Sequence, residues 1–232
     1  MDKYVLIVAG GKGLRLGGDL PKQFIPMRGK PLLMHTLEAF HRWDASARII
    51  LVLPEDHQPY WNMLCKEIGC KVPHAIVKGG DTRFFSVKNG LDWLLAERRR
   101  KGEEDSGLSL VAVHDGVRPF VSPEVVEACF DKAAVTGAVI PVVPMIDSLR
   151  ETDEKGSHPV DRSRYMAVQT PQVFLLELLT KAYEQPYSSL FTDDASVVEA
   201  MGHAIDTVPG DRENIKITTP FDLLIAEAMF AR

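Results

Sequence analysis

The sequence predicts an α/β fold, with a mostly parallel, twisted, Rossmann-like sheet covered by helices on both faces. Short apolar runs rich in β-branched residues recur along the chain, stretches of helical period separate them, and a glycine-rich turn follows the first run directly. Consecutive parallel strands need crossover connections, and right-handed crossovers place helices over both faces.

The apolar runs are residues 4–9, 48–53, 75–77, 108–113 and 138–143, each with the length and composition of a buried strand. Trp61, Leu64, Cys65 and Ile68 fall on one face of a helix. Phe84, Val87, Leu91, Leu94 and Leu95 form a second stripe, which leads into a charged run, 98–101, expected to be exposed. Ser122-Pro123-Glu124 and Thr219-Pro220-Phe221-Asp222 both read as an N-cap followed by proline in the first helical turn. After the second, Leu223, Leu224, Ala226 and Ala228 supply apolar surface for a final helix. Thr192-Asp193-Asp194-Ala195 is a third capped start, with acids in the first turn and no catalytic role assigned. Between about 144 and 168 the helical period fails. A structureless loop of that length is unusual in a compact domain, so a β-arm at about 144–166 reaching another subunit is expected. Residues 98–107 read as a charged surface loop, and no repeat or linker divides the chain. One domain over residues 1–232 is therefore expected.

With 45% hydrophobic and 25% charged residues, the composition is that of an ordinary soluble globular protein. The net charge of −5 argues against a nucleic-acid binder. Charge is uneven, however. The first thirty residues hold Lys3, Lys12, Arg15, Lys22, Arg28 and Lys30 against only Asp2 and Asp19, a local +4. Cys65, Cys70 and Cys129 are too few and too irregular for a disulfide framework or zinc knuckle. No run approaches the ~20 apolar residues of a membrane span, and the N-terminal run passes straight into glycines rather than a signal-peptide pattern. A cytoplasmic protein without a membrane partner is expected.

The glycine-rich turn reads Ala9-Gly10-Gly11-Lys12-Gly13-Leu14-Arg15-Leu16-Gly17-Gly18, followed by Pro21-Lys22-Gln23-Phe24. Such a turn brings backbone N–H groups close to phosphate oxygens. It is not a P-loop, because no G-x-x-x-x-G-K-[ST] string occurs. The dinucleotide fingerprint also breaks, since Leu16 stands at its third glycine position. What remains is a turn carrying Lys12, Arg15 and Lys22, which reads either as a solvated surface loop or as a cradle for a transferring phosphoryl group.

Other strings carry chemistry by composition. Gly79-Gly80-Asp81-Thr82-Arg83 reads as a helix start capped by Asp81 or Thr82, or as a turn that reads a base edge. His114-Asp115-Gly116-Val117-Arg118-Pro119 closes the fourth strand, where open parallel sheets bind ligands, although Asp115 and Arg118 also suit a structural ion pair. His114 reads as a packed or hydrogen-bonded histidine. Asn214-Ile215-Lys216-Ile217-Thr218-Thr219-Pro220 reads as a short strand with Lys216 alternating against two isoleucines.

The string AGGKGLRLG…PKQF resembles the signature of nucleotidyltransferases that couple a nucleoside triphosphate to a sugar or polyol phosphate. Within them it is most similar to the 2-C-methyl-D-erythritol 4-phosphate cytidylyltransferase family, and the likeness runs from Val5 to about Ala228. The resemblance implies the nucleotide-diphospho-sugar transferase type of fold and a Mg²⁺-dependent cytidylyl transfer from CTP to a polyol phosphate. It implies catalytic roles for Arg15, Lys22 and Lys216. It implies nucleotide contacts from Ala9, Gly10, Gly11, Lys12, Gly13 and Gly116, with Gly80, Asp81 and Ser86 at the cytosine. Asp115 is implied at the metal, and Arg118, Ser148, Arg162 and Thr170 at the substrate phosphate. The family usually has Thr where this chain has Ser148, which keeps the hydroxyl. The resemblance further implies a homodimer whose exchanged arm carries Arg162 into the partner's site. A ribitol-5-phosphate cytidylyltransferase is the alternative, because the HDxVRPF and NIKxTTP strings occur in both groups. The GGDTR stretch with Ser86, Asp161-Arg162 and AVQTPQVF lean toward methylerythritol phosphate.

Overall fold

The structure is a computed structural model that describes residues 1–10, 20–103, 107–154 and 156–231. The strands are β1 (Asp2–Val8), β2 (Pro26–Met27), β3 (Lys30–Pro31), β4 (Arg48–Leu53), β5 (His74–Lys78), β6 (Ser109–Asp115), β7 (Ala138–Pro144), β8 (Arg150–Asp153), β9 (Gly156–Pro159), β10 (Met166–Val168), β11 (Gln172–Leu175) and β12 (Asp206–Pro209). The α-helices are α1 (Leu32–Trp43), α2 (Gln58–Ile68), α3 (Arg83–Lys101), α4 (Pro123–Thr136), α5 (Leu176–Ala182), α6 (Asp194–Glu199) and α7 (Pro220–Phe230).

The main sheet runs β10-β7-β11-β6-β1-β4-β5, with β12 on the far edge of β7. β5, β4, β1 and β6 pair in parallel, and β11 runs antiparallel between β6 and β7. β10 and β11 border the same edge of β7, because Val142 pairs with both Val168 and Pro209 while Val139 pairs with both Val173 and Asp206. The strand after β1 in the sheet's first half, β4, lies on one side of it and β6 on the other. The chain thus reverses its direction of growth at β1, and a crevice opens beyond its carboxyl end.

Side-chain alternation builds a core on each face. Val5, Ile7, Leu51 and Ala112 pack under α1, α2 and α4 against Leu37, Phe40, Trp61 and Phe130. Tyr4, Leu6, Val52 and Val111 pack on the other face against α3 and α5, through Val87, Leu91, Leu94 and Leu179. The expected mostly parallel sheet between two helical layers is what the chain forms.

Three local expectations need correction. Residues 98–101 belong to α3, and Arg98 is buried at 5% exposure. Its Nη1 donates to Tyr4 Oη at 2.6 Å and Ser109 Oγ at 2.9 Å and pairs with Asp2 at 3.2 Å, while Nη2 donates to the Glu103 carbonyl at 2.8 Å. A guanidinium with this many partners tolerates burial. Residues 214–218 form no strand, so Lys216 sits in an irregular loop. In α7, Ala226 is buried but Leu224 and Phe221 are exposed, so only part of its apolar surface meets the core.

The aperiodic stretch contains the hairpin β8–β9, which pairs only with itself among the described residues. All its strand residues are exposed. Cross-strand contacts hold it: Arg150 Nε donates to Ser157 Oγ at 2.9 Å, and His158 meets Glu151 at 3.1 Å.

α3 lies on the sheet through Gly90, where a Cβ would fall 2.8 Å from Leu6 Cδ2 and 3.0 Å from Val52 Cγ2. Gly90→Leu is therefore expected to overpack this contact and lower stability by about 1–3 kcal/mol, read as a shifted urea midpoint.

Candidate active site

A cavity of about 240 Å³ lies at the carboxyl ends of β1, β5 and β6, lined among others by Gly10, Lys22, Gly80, Asp81, Asp115 and Lys216. Its position follows from topology, because parallel strands that diverge at a switch point leave such a crevice.

Asp115 is the last residue of β6 and is buried. Its Oδ2 takes Arg118 Nε at 3.0 Å and Lys216 Nζ at 3.1 Å. Burial alone raises the pKa of this carboxyl, but Lys216, Arg83 and Arg118 outweigh it and hold the group well below the usual carboxylate range. Arg118 also donates from Nη1 to the Asn214 carbonyl at 2.8 Å. One carboxylate thus gathers a cation from the turn after β6 and another from the loop before α7.

His114 is fully buried. Its Nε2 lies 3.1 Å from the Arg118 carbonyl and its Nδ1 lies 3.0 Å from Thr170 Oγ1. A carbonyl only accepts, so Nε2 carries the proton and Nδ1 accepts from the Thr170 hydroxyl. The same hydroxyl oxygen accepts the Asp115 N–H at 3.1 Å. Burial lowers the imidazole to about 4. Thr170 therefore spends its hydroxyl proton on His114 and helps set where Asp115 stands.

The other wall is the loop between β5 and α3. Thr82, not Asp81, caps α3 by accepting from Phe85 N–H. A Cβ on Gly80 would fall 2.4 Å from Phe85 Cβ, so no side chain fits there. Ser86 Oγ accepts the Gly80 N–H at 3.0 Å and lies 2.9 Å from the Thr82 carbonyl. This ties the backbone into a tight ledge beside the exposed carboxylate of Asp81. Below it, a Cβ on Gly116 would fall 2.8 Å from Ala9 Cβ, so the ends of β1 and β6 meet without a side chain between them. Gln23, buried beside Lys22, donates from Nε2 to the Ala9 carbonyl at 3.0 Å.

Gly11, Lys12, Gly13 and Arg15 lie outside the described residues. Ser148 and Arg162 are exposed at the base of the hairpin, away from this chain's cavity, and Arg162 Nη1 donates to the Ile146 carbonyl. The structure thus brings together Ala9, Gly10, Lys22, Gly80, Asp81, Ser86, Asp115 and Lys216 around one cavity. Arg118 adjoins it through Asp115.

One cation of the wall has no role assigned from the sequence. Arg83 lines the cavity and makes a two-pronged pair with Asp194, Nη1–Oδ1 at 2.9 Å and Nη2–Oδ2 at 2.5 Å. Asp194 is fully buried and also accepts from Tyr183 Oη at 2.6 Å. The expected capped start at Asp193 forms, with a reciprocal box between Asp193 and Ser196. The only sequence signal for the pair is a second acid after that cap.

No group of three or more His, Cys, Asp and Glu converges as a metal cage among the described residues. Asp115 alone at the strand end fits a hard divalent cation shared with phosphate oxygens, since Mg²⁺ commonly takes one or two carboxylates and fills its shell from substrate and water.

A crevice at the switch point, lined by Lys22, Lys216 and the buried carboxylate of Asp115, defines a nucleotidyltransferase-like α/β protein. Comparison with known proteins narrows this. The IspD family model, 2-C-methyl-D-erythritol 4-phosphate cytidylyltransferase, matches residues 4–232. A 2-C-methyl-D-erythritol 4-phosphate cytidylyltransferase of Bacteroides fragilis is 55% identical, over 99% of this chain and 100% of that protein. The crystal structure of the enzyme of that name from Thermus thermophilus superposes with a TM-score of 0.74 at 32% identity, covering 100% of both chains. That of a 4-diphosphocytidyl-2C-methyl-D-erythritol synthase from Anaerococcus prevotii gives 0.79 at 28% identity, covering 100% of this chain and 96% of that one. The chain belongs to the 2-C-methyl-D-erythritol 4-phosphate cytidylyltransferase family. No helix among the described residues is long and apolar enough to cross a membrane.

The buried histidines make stability depend on pH. His114 is lowered from 6.5 to about 4, so between those values the unfolded chain binds the proton that the folded one refuses. Stability is therefore lost as pH falls from about 6.5 toward 4, and His35 and His74, also lowered by burial, add to the slope. His114→Gln is expected to flatten that slope in urea titrations between pH 7 and 4 relative to the parent, and to remove more of it than the matching change at His35 or His74.

Proposed function

We infer that the protein transfers the cytidylyl group of CTP to 2-C-methyl-D-erythritol 4-phosphate, giving the CDP-linked polyol and pyrophosphate. The observation that carries this reading is full-length family membership at 55% identity. The cavity supplies a physical basis. Joining two polyanions requires positioning and charge neutralisation more than covalent help. A phosphate oxygen of the polyol attacks the α-phosphorus, the α–β phosphoanhydride bond breaks, and its electron pair leaves on pyrophosphate.

In this reading Lys22 and Lys216 stabilise charge developing on the α-phosphate, and Arg15 shares the task by its place in the family signature. Arg118 holds the incoming phosphate, and Thr170 contributes through His114 and the Asp115 amide. The ledge at Gly80, Asp81 and Ser86 receives the cytosine, with the exposed Asp81 carboxylate beside it to meet a base edge. Backbone groups from Ala9 to Gly13, with Lys12, cradle the triphosphate, and Gly116 lets the strand ends close beneath it. Asp115 would hold Mg²⁺ jointly with the phosphates, and the ion, when bound, adds positive charge there. The full-length relatives do not favour ribitol 5-phosphate as the acceptor.

Pyrophosphate release with CTP and either polyol phosphate tests the reaction, and a preference for ribitol 5-phosphate overturns the acceptor. Lys22→Met is expected to lower kcat by roughly a hundredfold or more while the Kd for CTP changes far less. Unchanged turnover removes Lys22 from the mechanism.

The hairpin supports a homodimer with exchanged arms. Its strand residues are all exposed, it joins no other strand among the described residues, and Ile146, Tyr165, Met166 and Val168 are exposed apolar side chains near its base. Ser148 and Arg162 then serve the partner's site. Mixing Lys22→Met with Arg162→Ala protein is expected to restore activity, because a mixed dimer with exchanged arms has one site free of both changes. No gain on mixing would place Arg162 in its own chain's site or in none.

A further inference from the structure

Lys216 stands in a loop that is neither strand nor helix. Its neighbours are held instead by two neutral amides. Gln169, buried next to Thr170, donates from Nε2 to the Asp211 carbonyl at 2.7 Å and accepts the Asp211 N–H on Oε1 at 3.2 Å. It thus reads both backbone groups of one residue, as a strand partner does. Asn214 is fully buried and donates from Nδ2 to the Thr170 carbonyl at 2.8 Å, with Gln169 Oε1 at 3.5 Å on the same side. Exchanging its oxygen and nitrogen would set an oxygen against two acceptors, which fixes the amide's orientation.

The fit is tight and costly. A Cβ on Gly210 would fall 2.6 Å from Gln169 Oε1. Asn214 Oδ1 is buried with no hydrogen-bond partner among the described residues. A buried acceptor without a partner costs stability, so this amide is not the most stabilising group for its site. From this clamp the backbone leads to both cations on Asp115. The Asn214 carbonyl accepts from Arg118 Nη1 at 2.8 Å, and two residues on Lys216 Nζ reaches Asp115 at 3.1 Å. Ile217, fully buried, donates its N–H to the Val117 carbonyl at 3.0 Å and fixes the far side of Lys216.

We propose that Gln169 and Asn214 are positioning residues that set the loop bearing Lys216 for phosphoryl transfer. The proposal rests on the catalytic reading of Lys216. A positioning residue acts only through the group it places, so its effect vanishes when that group is removed.

The test measures kcat for the parent, Asn214→Ala, Lys216→Met and the double variant, with thermal midpoints for each. Asn214→Ala is expected to lower kcat roughly ten- to a hundredfold in the parent and by less than about twofold in the Lys216→Met background. Gln169→Glu, which keeps an acceptor but loses the donor, carries the same comparison if Asn214→Ala does not fold. The proposal is overturned alone if Lys216→Met is slow but the clamp variant slows both backgrounds equally, or neither. If Lys216→Met itself turns over normally, the reading of Lys216 fails and the proposal with it.

Discussion

Asp115 holds a full negative charge at the end of the most central strand, where water is nearly excluded. A carboxylate in that place is tolerable only beside cations, and the chain brings Arg118 and Lys216 to the same oxygen. The turn after β6 and the loop before α7 are thereby tied to the sheet at one atom. Removing the carboxylate would leave two cations facing each other at the crevice. Because the protein is acidic overall at −5, the positive character of this place is made locally, by aiming cations at it rather than by composition.

The two buried carboxylates near the cavity, Asp115 and Asp194, are handled differently. Asp194 is wholly taken up by the fork of Arg83 and the hydroxyl of Tyr183, so that group is closed to a ligand. Asp115 has both its cations on Oδ2, and its backbone N–H is fixed by Thr170. His114 completes this second layer as a neutral ring, since a charged one would add a cation where the network needs a single acceptor and a single donor.

Most of the scaffold is legible in the sequence. Unbroken apolar runs in β1, β4 and β6, whose side chains enter opposite faces in turn, set the two cores, and the 3.6-residue stripe of α3 marks its buried face. The motif at 114–118 announces the strand end. What fails has one physical cause, which is that local patterning does not report distant partners. Arg98 reads as surface charge because Tyr4, Asp2 and Ser109 are remote in sequence. Lys216 reads as a strand residue because isoleucines flank it, yet only one of its neighbours, Ile217, has a backbone bond to the turn after β6. Gln169 and Asn214 lie inside the AVQTPQVF and NIKxTTP strings, but neutral amides there give no signal of the backbone groups they reach. On the proposed exchange of arms, the roles of Ser148 and Arg162 depend on a second chain, which no pattern within one chain encodes.

The amide clamp also answers a problem that the ion pairs create. In the cavity without substrate, Lys216 is held by Asp115, but an arriving phosphate is a stronger anion and competes for the same ammonium. A lysine positioned by its ion pair alone would lose its placement at the moment it is needed. Neutral amides bonded to backbone do not compete for the phosphate and do not titrate near neutral pH. Holding the loop through Gln169 and Asn214 lets the side chain of Lys216 change partners while its backbone stays fixed. That division, with neutral groups fixing the chain and charged groups meeting the substrate, is what preorganisation of a phosphoryl-transfer site requires.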